Sequence, residues 1–249
     1  TSFHQTMPPK AFIYAIPYEY YTEDKVRRYG FHGTSHRYVS ARAMDMMGRH
    51  DDDLKLITCH MGNGSSICAV KGGKSIDTSM GFTPLVGLPM GTRCGQMDMG
   101  AVQYIMHKHN LNIDEMLEIL NKKSGVLGVS GVSSDFRDLE AAMAEGNKRA
   151  ELALDLFHYW VAKTIGGYVA AMNGVDGIVF TAGVGENSAE TRKAVCEYLG
   201  YLGCAIDDEA NSLHGTERFI STPDSRVKLM VVPTNEELVI ARDTKALVG

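Results

Sequence analysis

The chain has 249 residues, 44% of them hydrophobic and 22% charged, the composition of a globular protein with room for one large domain or two small ones. A formal net charge of −5 argues against a general nucleic-acid or anionic-membrane binder, while leaving room for a small anion held by a few local groups. Five cysteines (Cys59, Cys68, Cys94, Cys196 and Cys204) lack CxxC spacing and read as reduced thiols, not as disulfides or a zinc site.

No run approaches a membrane span and no signal-peptide pattern is visible, so the expected location is the cytoplasm. The sequence starts in mid-pattern at Thr1 without a methionine, and an upstream portion is expected. Residues 1–29 are aromatic-rich and interrupted by Pro8, Pro9 and Pro17, which predicts an irregular packed segment. A helical pattern follows from Tyr38 to Met47, with Ser35 as its expected cap and Gly30 to Thr34 as a tight loop at its positive end.

Residues 54–57, 67–70 and 75–78 read as strands. The first two flank Thr58-Cys59-His60-Met61-Gly62-Asn63-Gly64-Ser65-Ser66, the stretch around which the chain is organised. Asn-Gly between strands signals a type I′ hairpin turn with two positive φ angles. The same turn carries adjacent hydroxyls, an entrance histidine and backbone left bare by two glycines, the makings of a phosphate cradle. A plain hairpin and a phosphate site are both open at this point.

A Gly/Pro-rich loop spans residues 81–95 and contains Arg93, whose planar fork suits carboxylate or phosphate. Helical patterns around 102–106 and 113–120 stop at Ser124-Gly125. Residues 125–137 read as a second glycine/serine loop, 138–146 as a short helix and 151–172 as a long, mostly buried one. A buried strand at 178–181 runs into a glycine turn, Ala182 to Asn187, then a helix over 189–199. Strand 227–233 and a helix opening at Thr234-Asn235-Glu236-Glu237 close the chain. Alternating strands and helices predict an α/β fold with a mixed sheet.

Individually the motifs are weak. Gly183-x-Gly185 is too short for a dinucleotide fingerprint, and Asp135-Phe136-Arg137 lacks the glycine of a kinase metal motif and could be a loop salt bridge. His32 and His36 are four apart across a loop, so a helical metal pair is disfavoured, and Glu236 and Glu237 could simply answer a helix dipole.

Together, however, Phe3-His4-Gln5-Thr6-Met7-Pro8, Tyr29 to His36, His60 to Ser66, Gly91-Thr92-Arg93, Phe180 to Asn187 and Pro233 to Leu238 resemble the acetate kinase family of the sugar-kinase, heat-shock chaperone and actin superfamily. The resemblance runs nearly the whole chain in order and covers the C-terminal part of the family. It implies an actin-like, ribonuclease H-like α/β domain with a helix-flanked mixed sheet, the nucleotide-binding and dimerisation half (residues 1–249) of a two-domain cytoplasmic kinase. The family's first phosphate loop, and the aspartate preceding the position of Thr1, have no counterpart here.

By motif, the resemblance implies that His32 and Arg93 stabilise the transferring phosphoryl group. It places His60, Met61, Gly62, Asn63 and Gly64 on the nucleotide phosphates. Asp135, Phe136, Arg137, Gly183, Val184, Gly185, Glu186 and Asn187 fall on the adenosine and ribose side. Glu236 would help hold Mg²⁺, and Phe31 and Pro84 would form half of an apolar pocket for the acyl methyl. The implied reaction is reversible phosphorylation of acetate to acetyl phosphate by ATP, by a homodimer. Propionate as substrate is the alternative, and a non-catalytic nucleotide-binding or dimerisation module is another; the chain alone is expected to turn over poorly. Cys94-Gly95-Gln96 stands where many members carry Ser-Gly-Asp, which weakens any carry-over of roles to positions 94 and 96.

Overall fold

The structure, a computed structural model, describes residues 2–249; Thr1 lies outside them. In chain order the elements are α1 (Pro9–Phe12), α2 (Glu19–Thr22), α3 (Gly33–Met47), β1 (Lys55–Met61), β2 (Ser65–Lys71), β3 (Lys74–Thr78), α4 (Met99–His109), α5 (Ile113–Lys122), α6 (Gly125–Ser130), α7 (Phe136–Ala144) and α8 (Lys148–Met172). The remainder are β4 (Gly177–Thr181), α9 (Ala182–Asn187), α10 (Ala189–Glu197), α11 (Asp208–Ser212), β5 (Arg218–Phe219), β6 (Lys228–Val231) and α12 (Glu236–Val248).

The strands form one sheet in the order β3-β2-β1-β4-β6-β5. β1, β2 and β3 form an antiparallel meander, while β4 joins β1, and β6 joins β4, in parallel. This is the mixed sheet of ribonuclease H-like domains, as expected. β1 and β4 are buried along almost their full length because helices cover both faces, which is why they read as continuous apolar runs.

Alternation along the strands divides the core in two. Ile57, Cys59 and Met61 of β1, with Ile178 and Phe180 of β4, pack under α8 through Phe157, Val161 and Ile165. Leu56 of β1, Val70 of β2 and Val179 of β4 face Val39, Ala43 and Met44 of α3. In α8, buried residues recur at Ala150, Ala153, Leu154, Phe157, Val161, Ile165, Tyr168 and Met172, a helical stripe. Leu152 and Tyr159 of the same helix remain exposed. Among the described residues, no helix is long and apolar enough to cross a membrane.

Several local expectations are corrected. Residues 2–29 contain a 3-10 turn (Ser2–Thr6) and the short helices α1 and α2, so the segment is partly regular. Residues 125–130 form α6 where a loop was expected, since backbone bonds from Val126 N to Met90 O (2.9 Å) and Leu127 N to Gly91 O (3.0 Å) fix that turn from outside. Residues 182–187 are the short helix α9 and not a turn; Ala182 enters it directly from β4 at φ 64°.

Ser35 does not cap α3. The helix begins two residues earlier, at Gly33, leaving Ser35 buried inside its first turn. The hairpin tip is also not a type I′ turn: Met61 pairs with Ser65, and neither Asn63 nor Gly64 has positive φ. The turn with two left-handed residues is the next one, at Gly72 (53°) and Gly73 (73°), joining β2 to β3.

Candidate active site

Three segments meet at the tip of the β1–β2 hairpin. His32 occupies the N-cap of α3 in the left-handed region, φ 55°, a conformation costly for a residue with a Cβ. That backbone turn brings the imidazole over the hairpin. The loop from residue 81 to 98 brings Arg93, and it is braced where it arrives. Gly91 N donates to Asn63 O (3.0 Å), Ser124 N to Thr92 O (3.0 Å) and Cys94 N to Leu120 O (2.9 Å). A Cβ on Gly91 would overlap the Asn63 side chain, so only glycine lets the loop seat against the tip.

Gly64 is the meeting point. A Cβ built there would lie 3.2 Å from Arg93 Nη1 and 3.5 Å from His32 Nε2, so the missing side chain is what leaves a space flanked by both. Arg93 is half-buried, with its Nη1 3.5 Å from Pro84 O, and among the described residues no carboxylate pairs with it. A half-desolvated guanidinium without a counter-charge is a receptor for an anion.

The histidines are held by hydroxyls. His32 and His60 stack with ring centroids 4.0 Å apart, 17° from parallel. His32 Nδ1 bonds Ser66 Oγ (2.9 Å), and His60 Nδ1 bonds Ser35 Oγ (2.8 Å). Ser66 also meets His36 Nε2 (2.8 Å), whose Nδ1 meets Thr58 Oγ1 (2.7 Å). Ser35 accepts from Thr234 Oγ1 (2.9 Å), which ties the start of α12 to the cluster. Among the described residues the Nε2 atoms of His32 and His60 have no partner, and neither is enclosed.

Burial lowers the pKa of every ring here. His32 falls to about 4, with Arg93 pushing it further in the same direction, and His60 falls to about 3. His36, fully buried, lies well below the usual histidine range, and His4, bonded to Ser75 Oγ (2.9 Å) and Phe31 O (3.0 Å), falls to about 4. At neutral pH the rings are uncharged donors and acceptors, and Arg93 is the cation.

From the tip a cavity of about 560 Å³ runs between α7 and α9. Gly62, Asn63, Asp135, Phe136, Arg137, Gly183, Val184 and Asn187 line it. Within that set, Asp135 caps α7 and pairs with the exposed Arg137, and Phe136 is anchored edge-on to Phe157 in the core, centroids 4.7 Å apart. Three nucleotide-side candidates are placed elsewhere. Met61 is wholly buried in the core, and Gly185 is buried with its carbonyl accepting from Arg192 (2.9 Å). Glu186 turns inward, its carboxylate accepting from Ala182 N (2.8 Å) and Thr234 N (3.1 Å), so it clamps β4 to the start of α12.

Phe31 and Pro84 sit half-buried beside His32 and Arg93, and Glu236 is the first residue of α12. Sequence reasoning missed Thr58, Thr234 and Arg192. No spacing rule finds the two threonines, because their partners lie 22 and 199 residues away. Arg192 is wholly buried and, among the described residues, pairs with no carboxylate; it is held by Asn211 Oδ1 (2.7 Å) and the carbonyls of Gly185 and Glu186 (2.9 and 3.0 Å).

The family model for the acetokinase family matches residues 1–242. The chain belongs to the acetokinase family. An acetate kinase of Natranaerobius thermophilus is 60% identical over 249 residues, which is all of this chain and 63% of that protein. The crystal structure of Porphyromonas gingivalis acetate kinase superposes with a TM-score of 0.97 at 50% identity, over 100% of this chain and 63% of that one. A propionate kinase from Francisella tularensis superposes with a TM-score of 0.91 at 45% identity, covering 97% of this chain and 62% of that one. This acetokinase-family chain thus spans less than two thirds of the length of the relatives it matches.

Proposed function

We propose that the protein transfers a phosphoryl group reversibly between ATP and the carboxylate of acetate. The observation that carries this is the convergence of unpaired Arg93 and uncharged His32 on the bare backbone of Gly64, at the end of a cavity of nucleotide size. In the forward direction a carboxylate oxygen attacks the γ-phosphorus, the bond to the β,γ-bridging oxygen breaks, and ADP leaves. The nucleophile is already deprotonated at neutral pH, so no general base is needed. That matches a cluster whose histidines all lie below the range of a base poised near pH 7.

What such a reaction asks of a protein is positive charge and donors around the equatorial oxygens. Arg93 supplies the first and His32 the second. Gly62 and Asn63 would face the nucleotide phosphates, and Gly183 and Val184 the nucleoside. Among the described residues no three His, Cys, Asp or Glu side chains converge as a metal-binding group. Magnesium characteristically takes one or two protein carboxylates, with phosphate and water oxygens completing its shell. A single carboxylate fits that mode, and Glu236, which opens α12 beside the Thr234–Ser35 tie, would hold the ion, which supplies charge neutralisation at the phosphates.

Acetate is preferred over propionate because the 60% identical relative is an acetate kinase, whereas the propionate kinase is 45% identical. One methylene in an apolar pocket changes selectivity by only about 1–3 kcal/mol, so the residues beside Phe31 and Pro84 would set a modest preference. We place the protein in the cytoplasm as a homodimer, with exposed Leu152, Tyr159, Tyr198 and Tyr201 available to the interface. Hydroxylamine trapping of acyl phosphate, with acetate and propionate in parallel on the full-length protein, tests the proposal. Acetyl hydroxamate in excess is expected; no acyl phosphate from either acid would refute it.

A further inference from the structure

Ser66 Oγ lies between two imidazoles, 2.9 Å from His32 Nδ1 and 2.8 Å from His36 Nε2. Beyond it, His36 Nδ1 is 2.7 Å from Thr58 Oγ1. Thr58, His36 and Ser66 have no solvent exposure, and among the described residues the Thr58 hydroxyl has no other partner. Burial keeps the two rings uncharged at neutral pH, so each carries one ring hydrogen. Each hydroxyl likewise has one hydrogen to give.

These constraints leave three orderings. In the first, Thr58 O–H donates to His36 Nδ1, His36 Nε2–H donates to Ser66 Oγ, and Ser66 O–H donates to His32 Nδ1. Every buried hydrogen then has an acceptor, and His32 carries its own hydrogen on Nε2. In the second, each bond is reversed, and the Thr58 hydrogen points at nothing in a sealed interior; in the third, both rings donate to Ser66 Oγ, and the Ser66 hydrogen is the orphan. A buried donor left unmade forfeits its full desolvation cost, whereas an unused lone pair on a hydroxyl that already donates is the lesser defect. The first ordering is favoured.

We infer that Thr58, His36 and Ser66 form a one-way hydrogen-bond relay that locks His32 in its Nε2–H tautomer, so that the nitrogen beside Gly64 and Arg93 is a donor to an incoming anion. The naming of that anion as a phosphoryl group rests on the proposed function; the relay does not. A second, independent relay has the same sense. Thr234 Oγ1 donates to Ser35 Oγ at 2.9 Å, which leaves the Ser35 hydrogen for His60 Nδ1 at 2.8 Å and the His60 hydrogen on Nε2. The stacked pair thus presents two neutral donors beside one cation. Thr58, His36 and Ser66 are positioning residues that act through His32.

The test is a long-range ¹H–¹⁵N correlation spectrum of the histidine-labelled chain at pH 7, without substrate, using His32→Gln to assign the ring. His32 and His36 are both expected as single, unaveraged Nε2–H tautomers. In Ser66→Ala the minor His32 tautomer is expected to rise about fivefold or more as the lock is lost. An Nδ1–H signal at His32 in the unaltered chain, or an unchanged tautomer ratio in Ser66→Ala, would overturn the inference. Because no turnover is involved, a locked His32 in a protein that makes no acyl phosphate would count against the proposed function and not against the relay.

Discussion

His32 and His60 lie face to face with centroids 4.0 Å apart, a spacing that two charged rings would not tolerate. Burial holds His32 near pKa 4 and His60 near 3, with His4 near 4 and His36 also well below 6.5, the value each takes when unfolded. Between pH 6.5 and about 4 the unfolded chain therefore binds protons that the folded chain refuses. Stability rises with pH across that window and is lost as pH falls through it. Each such histidine contributes a slope of up to about 1.4 kcal/mol per pH unit. The melting temperature is expected to drop steeply from pH 7 to pH 5 in a circular-dichroism melt. A flat profile would mean that the rings are free to charge in the folded state.

Substitution at Gly64 is expected to separate the proposed catalysis from stability. Its φ is not left-handed, so alanine fits the backbone, yet the new methyl would press to 3.2 Å from Arg93 Nη1 and occupy the anion's space. Gly64→Ala is expected to melt within about 2 °C of the parent while kcat/KM falls at least about tenfold, since small displacements at a reacting centre are amplified. Equal loss of stability and activity would assign Gly64 a packing role.

The run Asp135-Phe136-Arg137 mixes two kinds of residue. Phe136 is buried against Phe157, so Phe136→Ala is expected to cost about 3–5 kcal/mol in a urea titration. Arg137 is 87% exposed and pairs locally with Asp135, so Arg137→Ala should cost under about 1 kcal/mol and raise the KM for ATP. A large stability loss in Arg137→Ala, with unchanged KM, would remove it from the nucleotide wall.

Arg192 ties the carbonyl end of α9 to Asn211 from within the core, and burial lowers its pKa to about 10. Arg192→Leu leaves those carbonyls and the Asn211 oxygens without their donor while Asn211 Nδ2 keeps Ala189 O, and a loss of about 3–5 kcal/mol in urea is expected from several unsatisfied buried acceptors. A loss under about 1 kcal/mol would show that water reaches these groups.

The sheet strands and α8 were legible because their apolar periods are set by the same burial that the fold supplies. Helix α6 and helix α9 were not, because glycine-rich sequence does not choose a helix by itself; bonds donated to the Met90 and Gly91 carbonyls and the clamp of Glu186 choose it. The Asn63-Gly64 turn was misread for a related reason: Gly91 and Arg93 seat against it, and the tip adopts what that contact allows. Motif resemblance singled out His32, His60 and Arg93, and the fold brings them together. It assigned no role to Thr58 or Thr234, since a hydroxyl that orients a ring across the fold leaves no trace in local spacing.

On the proposed function, Arg93 and His32 act together on a transferring phosphoryl group at Gly64. Steady-state acetyl phosphate formation by full-length Arg93→Gln, read against its melting temperature, tests it most directly. The expected result is a fall in kcat of about 10²–10³-fold or more with a melt close to the parent's, as befits a group that meets charge developing in the transition state. A variant that folds normally and turns over at the parental rate would contradict the claim.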